Sequence, residues 1–88
     1  MTFRTLDFSD EFLESYGSAV FSSKERALFV KALRLLDSDE QHPSLRVHAR
    51  RGKLAGLWSA SASLELRITF RREPNGRKTL MACTRHYR

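Results

Sequence analysis

Arg67, His48 and His86 are the residues of this chain whose types together suit one reaction. Cleaving RNA by attack of its own 2′-hydroxyl needs three groups. A base takes the 2′ proton, an acid protonates the leaving 5′ oxygen, and a cation stabilises charge on the phosphoryl oxygens. Arginine suits the third role, because its planar fork meets two phosphate oxygens at once. Histidine suits the first two, since its free pKa of about 6.5 lies near neutrality. Arg67 falls on the non-core face of an alternating strand, His86 lies just beyond the last strand, and His48 lies in a basic loop before the second strand.

Each residue also has a plainer reading. An outward arginine in a strand is most often a solvated surface residue. A histidine near a chain end is most often an idle exposed side chain, and His48 could satisfy a backbone carbonyl within its loop. The Arg50-Arg51-Gly52-Lys53 cluster is usually a solvated loop, yet basic loops beside a sheet are also common phosphate contacts. Ser59 and Ser61 have no acid–base pattern around them that would make a serine nucleophile. Three histidines and one cysteine at scattered positions do not match zinc-ligand spacing. The few carboxylates in the basic half argue against a two-metal nuclease site. The expectation is chemistry without metal or cofactor.

Charge says what the residues would meet. Residues 45–88 hold eleven Lys/Arg against two carboxylates, Glu65 and Glu73, a balance of +9, whereas residues 1–44 stand at −3 and the whole chain at +6. A sheet-forming half with that imbalance suits a polyanion, nucleic acid first. Eighty-eight residues with 41% apolar content, including six Phe, predict one domain over 1–88. The lone Cys83 cannot make an internal disulfide, which fits a reducing cytoplasm. No charged-then-apolar leader opens the chain, and no apolar run approaches the roughly 20 residues that span a bilayer, so a soluble cytoplasmic protein with no membrane partner is expected.

The elements that would position these residues are legible in outline. Phe3, Leu6 and Phe8 suit a first strand over Thr2–Phe8. Ser9 can cap a first helix to about Tyr16, with Asp10 and Glu11 in its first turn and a Phe8–Leu13 staple, and Gly17 ends it. Ser22 and Glu25 form a capping-box pattern, after which Leu28, Ala32, Leu35 and Leu36 recur at helical spacing, flanked by Phe29 and Leu33, fading by Asp37–Glu40 before Pro43. Leu45–Leu57 reads as an irregular basic stretch. Strands are predicted over Leu57–Ala62, Leu64–Arg72 and Lys78–Thr84, with Glu73-Pro74-Asn75-Gly76 turning the last hairpin. The final strand is apolar on both faces, so its register is undecided by pattern. The prediction is an α+β fold of order β-α-α-β-β-β, two N-terminal helices on one face of a mainly antiparallel four-stranded sheet whose other face shows Arg67, Thr69 and Arg71.

Three segments together carry a family resemblance. Leu45-Arg46-Val47-His48-Ala49-Arg50-Arg51-Gly52-Lys53-Leu54-Ala55-Gly56-Leu57-Trp58-Ser59 resembles the "L-x-V-H-x-L-x-G-x-L-x-G-x-W-S" segment of RelE/YafQ-type toxins of bacterial toxin–antitoxin pairs. Leu66-Arg67-Ile68-Thr69-Phe70 is similar to their "(Y/W)-R-(I/L)-x-(F/Y)" strand, and Thr84-Arg85-His86-Tyr87 to their terminal "G-T-H-x-x-x-Y" element. The resemblance, within the RelE/ParE superfamily, covers nearly the whole chain. It implies a RelE-like fold and a basic toxin that cuts mRNA on the ribosome and is held inactive by a cognate antitoxin in a hetero-oligomer. By position, Arg67 matches the phosphate-binding arginine, His86 the terminal catalytic histidine, His48 a recurrent histidine and Tyr87 the terminal tyrosine. The sequence departs from the pattern at Thr84, where the family has glycine, and at Ser59, Ala60 and Ser61, where some members place Lys or His/Asp.

The leading expectation is thus a metal-independent mRNA endoribonuclease with Arg67, His86 and His48 in catalysis. Arg50, Arg51, Lys53, Arg71, Arg72, Arg85 and Tyr87 would touch RNA or ribosome, and the antitoxin would be an acidic segment that folds on contact, near Phe29 or Trp58. Two alternatives stay open. ParE-type toxins share the fold but bind DNA gyrase, and a catalytically degenerate domain would bind RNA or a partner alone.

Overall fold

The computed structural model describes residues 3–85. Its strands are β1 (Leu6–Phe8), β2 (His48–Ala49), β3 (Trp58–Ser61), β4 (Leu66–Arg72) and β5 (Lys78–Arg85). Its helices are α1 (Asp10–Tyr16) and α2 (Ser23–Ser38), with two short 3-10 turns, Pro43–Leu45 and Gly52–Leu54. The sheet has five strands in the order β1-β5-β4-β3-β2, with β1 parallel to β5 and the other pairs antiparallel. The expected α+β architecture holds. The strand beyond the four expected is β2, two residues of the basic stretch that pair with Trp58 and Ser59.

Capping works largely as the sequence implies. Ser9 Oγ accepts the Phe12 amide at 3.0 Å and donates its own hydroxyl proton to the Leu80 carbonyl at 2.6 Å, pinning α1 to β5. The Ser22–Glu25 capping box is complete, at 3.1 and 2.9 Å. The expected Phe8–Leu13 staple is replaced: the Phe8 ring meets Phe12 edge-on at 5.6 Å, and Leu13 stays 52% exposed.

The core lies between the helices and one sheet face. Phe29, Ala32, Leu33 and Leu36 of α2 are fully buried, so the helix is rotated from the expected stripe and Leu28 and Leu35 ride its rim. Phe29, expected as an exposed docking point, is 0% exposed and stacks edge-on against Phe21 at 4.9 Å. Ala60, Leu66, Ile68, Phe70, Leu80 and Cys83 supply the sheet side.

The register of β5 has a physical answer. Thr69 pairs with Ala82 but Phe70 pairs with Leu80, leaving Met81 as the extra residue of a bulge. The bulge puts Leu80 and Cys83 on the core side although they are three apart. Burial pushes the Cys83 thiol up to about 12, against a weaker opposing effect from Ser15. No helix among the described residues is long and apolar enough to cross a membrane.

Candidate functional site

Cross-strand register defines the face away from the helices. One row runs His48–Ser59–Thr69–Ala82, and the next runs Ser61–Arg67–Thr84. Opposed residues of paired strands share a face. His48 and Arg67 therefore lie on the same side, two strands and one register step apart, about 12 Å between Cα atoms. The rows bring the two residues into one region of the face, while the Arg67 guanidinium is bonded towards the β3–β4 turn, at the carbonyls of Ser63 and Leu66. Neither row contains a carboxylate.

His48 is exposed, and its Nδ1 lies 2.9 Å from the Arg46 carbonyl. A carbonyl only accepts, so Nδ1 carries the proton and neutral His48 keeps its lone pair on Nε2. Arg46 holds that carbonyl in place from a left-handed backbone, φ 45°. The result is an outward imidazole in the tautomer a general base needs. His42 is set the other way: its Nδ1 accepts the Ser44 amide at 3.2 Å and caps the 3-10 turn.

Arg67 is half-buried. Its Nη1 donates to the carbonyls of Ser63, at 2.7 Å, and Leu66, at 3.1 Å, which stiffens the guanidinium against the β3–β4 turn. Both of these partners of the guanidinium are backbone carbonyls. Beside it opens a groove of ≈ 340 Å³ lined by the rim residues Leu28 and Leu35, by Leu64, and by Lys31, Arg46 and Arg67, again without an acid. Thr84, the direct β5 neighbour of Arg67, stands two positions before His86. His86 and Tyr87 lie outside the described residues.

The remaining cations divide. Arg50, Arg51 and Lys53 sit on the β2–β3 connection, and among the described residues none of them is paired with a carboxylate. Arg71 lies on the same face as Arg67 but at its far end, ion-paired with Glu73 at 2.9 Å. Arg72 and Arg85 do not join this face. An even offset from Phe70 and from Cys83 turns them to the helix side, where Arg72 bonds Glu40 at 2.7 Å and covers the Trp58 ring at 4.4 Å. Arg85 bonds Glu25 at 2.6 Å and lies over Phe21 at 5.6 Å. Both guanidinium groups thus sit beside carboxylates on the helix side of the sheet. Trp58 is half-buried beneath Arg72, so it offers no free platform for a base.

Sequence reasoning set Ser59 aside as a nucleophile and gave it no other role. It is fully buried on the site face, and its Oγ has no hydrogen-bond partner. Alternation alone could place it on that face but not signal that its hydroxyl is unsatisfied. Among the described residues no group of three or more His, Cys, Asp or Glu could hold a metal ion.

Neither a protein-family model nor a curated protein sequence matches the chain. Solved structures do. The RelBE2 toxin–antitoxin complex of Mycobacterium tuberculosis aligns at TM-score 0.72 with 16% identity, over 97% of this chain and 100% of that one. A mutant of YafQ from E. coli aligns at 0.71 with 13% identity, over 93% and 92%. The YoeB–YefM complex of Staphylococcus aureus aligns at 0.68 with 19% identity, over 93% and 95%. Agreement end to end in both directions covers the sheet, both helices and their order, and so the chain has the fold of the RelE, YoeB and YafQ toxins.

Proposed function

We propose that this chain is the toxin of a toxin–antitoxin pair, cutting mRNA on the ribosome without a metal ion and neutralised by an acidic antitoxin. The observation that carries the reading is the shared sheet face on which His48 presents Nε2 and Arg67 lies one row away, its guanidinium bonded to the Ser63 and Leu66 carbonyls, with no carboxylate in either row. In the reaction His48 Nε2 takes the 2′-hydroxyl proton. The 2′ oxygen forms a bond to phosphorus as the P–O5′ bond breaks, and Arg67 balances charge on the phosphoryl oxygens. The leaving 5′ oxygen gains a proton from an acid, the role assigned to His86. The products are a 2′,3′-cyclic phosphate and a 5′-hydroxyl. Arg50, Arg51 and Lys53 hold the strand through its phosphates.

The aligned RelBE2 and YoeB–YefM structures are toxin–antitoxin complexes, which supports an antitoxin partner here. The basic half and the acid-free groove beside Arg67 favour an acidic segment. The test is to induce the chain in cells and map transcripts by primer extension. Discrete cuts within minutes support the reading; intact mRNA with altered DNA supercoiling refutes it. That second outcome belongs to the gyrase-binding reading, favoured by one observation, the serines at 59 and 61 in place of charged strand residues.

A further inference from the structure

We propose that Ser59 is a substrate-contacting residue of the site, its hydroxyl donating to a non-bridging phosphoryl oxygen of the strand bound between His48 and Arg67. This rests on the RNA-binding reading above and adds a residue to it. Ser59 is 0% exposed, and its Oγ is the one buried side-chain polar atom without a partner among the described residues. A hydroxyl removed from water with nothing to bond is unfavourable, and an alanine there would fill nearly the same space without that penalty. The hydroxyl thus keeps unused hydrogen-bonding capacity, here assigned to the bound strand.

Position says which group. Register places Ser59 directly between His48 and Thr69, one row from Arg67. Thr69 makes no hydrogen bond to it, and donates its own hydroxyl to the Ala82 carbonyl at 3.4 Å. The floor around Ser59 is paved with the short hydroxyl side chains of Ser61, Thr69 and Thr84 and carries no carboxylate. Such a floor repels no anion and lets a phosphate backbone approach the strands closely. Hydroxyl groups are common phosphate ligands in nucleic-acid sites.

Access comes from the sheet edge. β2 is only two residues long, both exposed, and it is paired on one side only. The connection that follows contains Gly52 and Gly56 with φ of +67° and +95° and empty space around both. Opening of this glycine-containing connection, with His48 left paired to Ser59, is the proposed movement by which a ligand reaches the hydroxyl.

The experiment compares wild type with Ser59→Ala in three measurements. These are the melting temperature, single-turnover cleavage of an mRNA programmed on purified ribosomes, and fluorescence anisotropy of an RNA oligonucleotide carrying a 2′-deoxy nucleotide at the cut site. The expected result is melting at or above wild type, cleavage slowed roughly ten- to a hundredfold, and weaker binding of the oligonucleotide. Wild-type cleavage and binding by the variant would overturn the assignment. So would a variant that melts lower or fails to fold, since that makes the hydroxyl structural. If wild-type protein leaves the mRNA intact, the nuclease reading fails by itself, and Ser59 is then decided by the binding measurement alone.

Discussion

Asp37→Ala should cost far more stability than Asp7→Ala, although Asp7 makes the more conspicuous ion pair. Asp7 receives Arg77 through two contacts of 2.8 Å, yet Asp7 is 51% exposed and Arg77 37% exposed. Arg77 holds its carboxyl below the usual range, but water screens the pair, so it adds little to stability. Asp37 lies at the end of α2 and accepts the Thr5 amide at 2.7 Å, the Thr5 hydroxyl at 2.6 Å and the Arg4 amide at 3.0 and 3.1 Å. Burial works against this carboxylate, but those donors win and its pKa is lowered. The Arg4 amide is exposed and can turn to water, which leaves the two part-buried Thr5 bonds. At about 1.5 kcal/mol for each bond to a charged acceptor, their loss is worth about 3 kcal/mol. Marginal stability at this size makes that a large fraction of the total, and it lowers the melting temperature by about 12–24 °C. Urea and thermal denaturation followed by circular dichroism measure both variants side by side. Equal losses, or a larger loss for Asp7→Ala, would refute the reasoning that burial of the donors outweighs formal charge pairing.

Three further outcomes follow from the same contacts. The hydrogen bond from Arg85, then the Ser22 amide, holds the Glu25 carboxyl down at about 2. Its contribution is therefore complete above the unfolded value near 4.5 and is lost as pH falls towards 2, so Glu25→Gln should flatten the acid limb of melting temperature against pH between those limits. Removing Arg50, Arg51 and Lys53 together should reduce the salt slope of single-stranded RNA binding by about 2, and an unchanged slope would show that the loop does not touch phosphate. Cys83, buried with its thiol pushed up to about 12, should resist alkylation at pH 8 until the protein unfolds, and rapid labelling of the native protein would contradict its placement.

How much was legible depended on whether one local rule governed each segment. The capping box at Ser22 and the alternation of β4 are set by near neighbours, so they read directly, and with them the side of the sheet that Arg67 faces. β5 was opaque because a bulge at Met81 breaks alternation, and the bulge is fixed by pairing with a strand about a dozen residues away. β2 was missed because two residues carry no pattern; only the partner β3 makes them a strand. Arg72 and Arg85 were named as contacts on charge alone; the alternation of β4 from Phe70 put Arg72 with the core side chains, whereas the side of Arg85 follows only once pairing with β4 fixes Cys83. His48 was legible as a residue type, but its tautomer depends on the left-handed backbone at Arg46, which a non-glycine sequence does not announce. Ser59 was invisible for a similar reason: an unpaired hydroxyl is a fact about what surrounds it in space.

The most direct measurement is an analysis of RNA ends after incubation of mRNA-programmed ribosomes with purified protein in excess chelator, for wild type and Arg67→Ala. The account predicts that wild type releases a 2′,3′-cyclic phosphate and a 5′-hydroxyl without added metal. It also predicts that Arg67→Ala slows the cut by about 10²–10³, as expected for losing a donor to the developing charge. Cleavage that requires a divalent ion, leaves a 5′-phosphate, or proceeds at the wild-type rate in Arg67→Ala would contradict it.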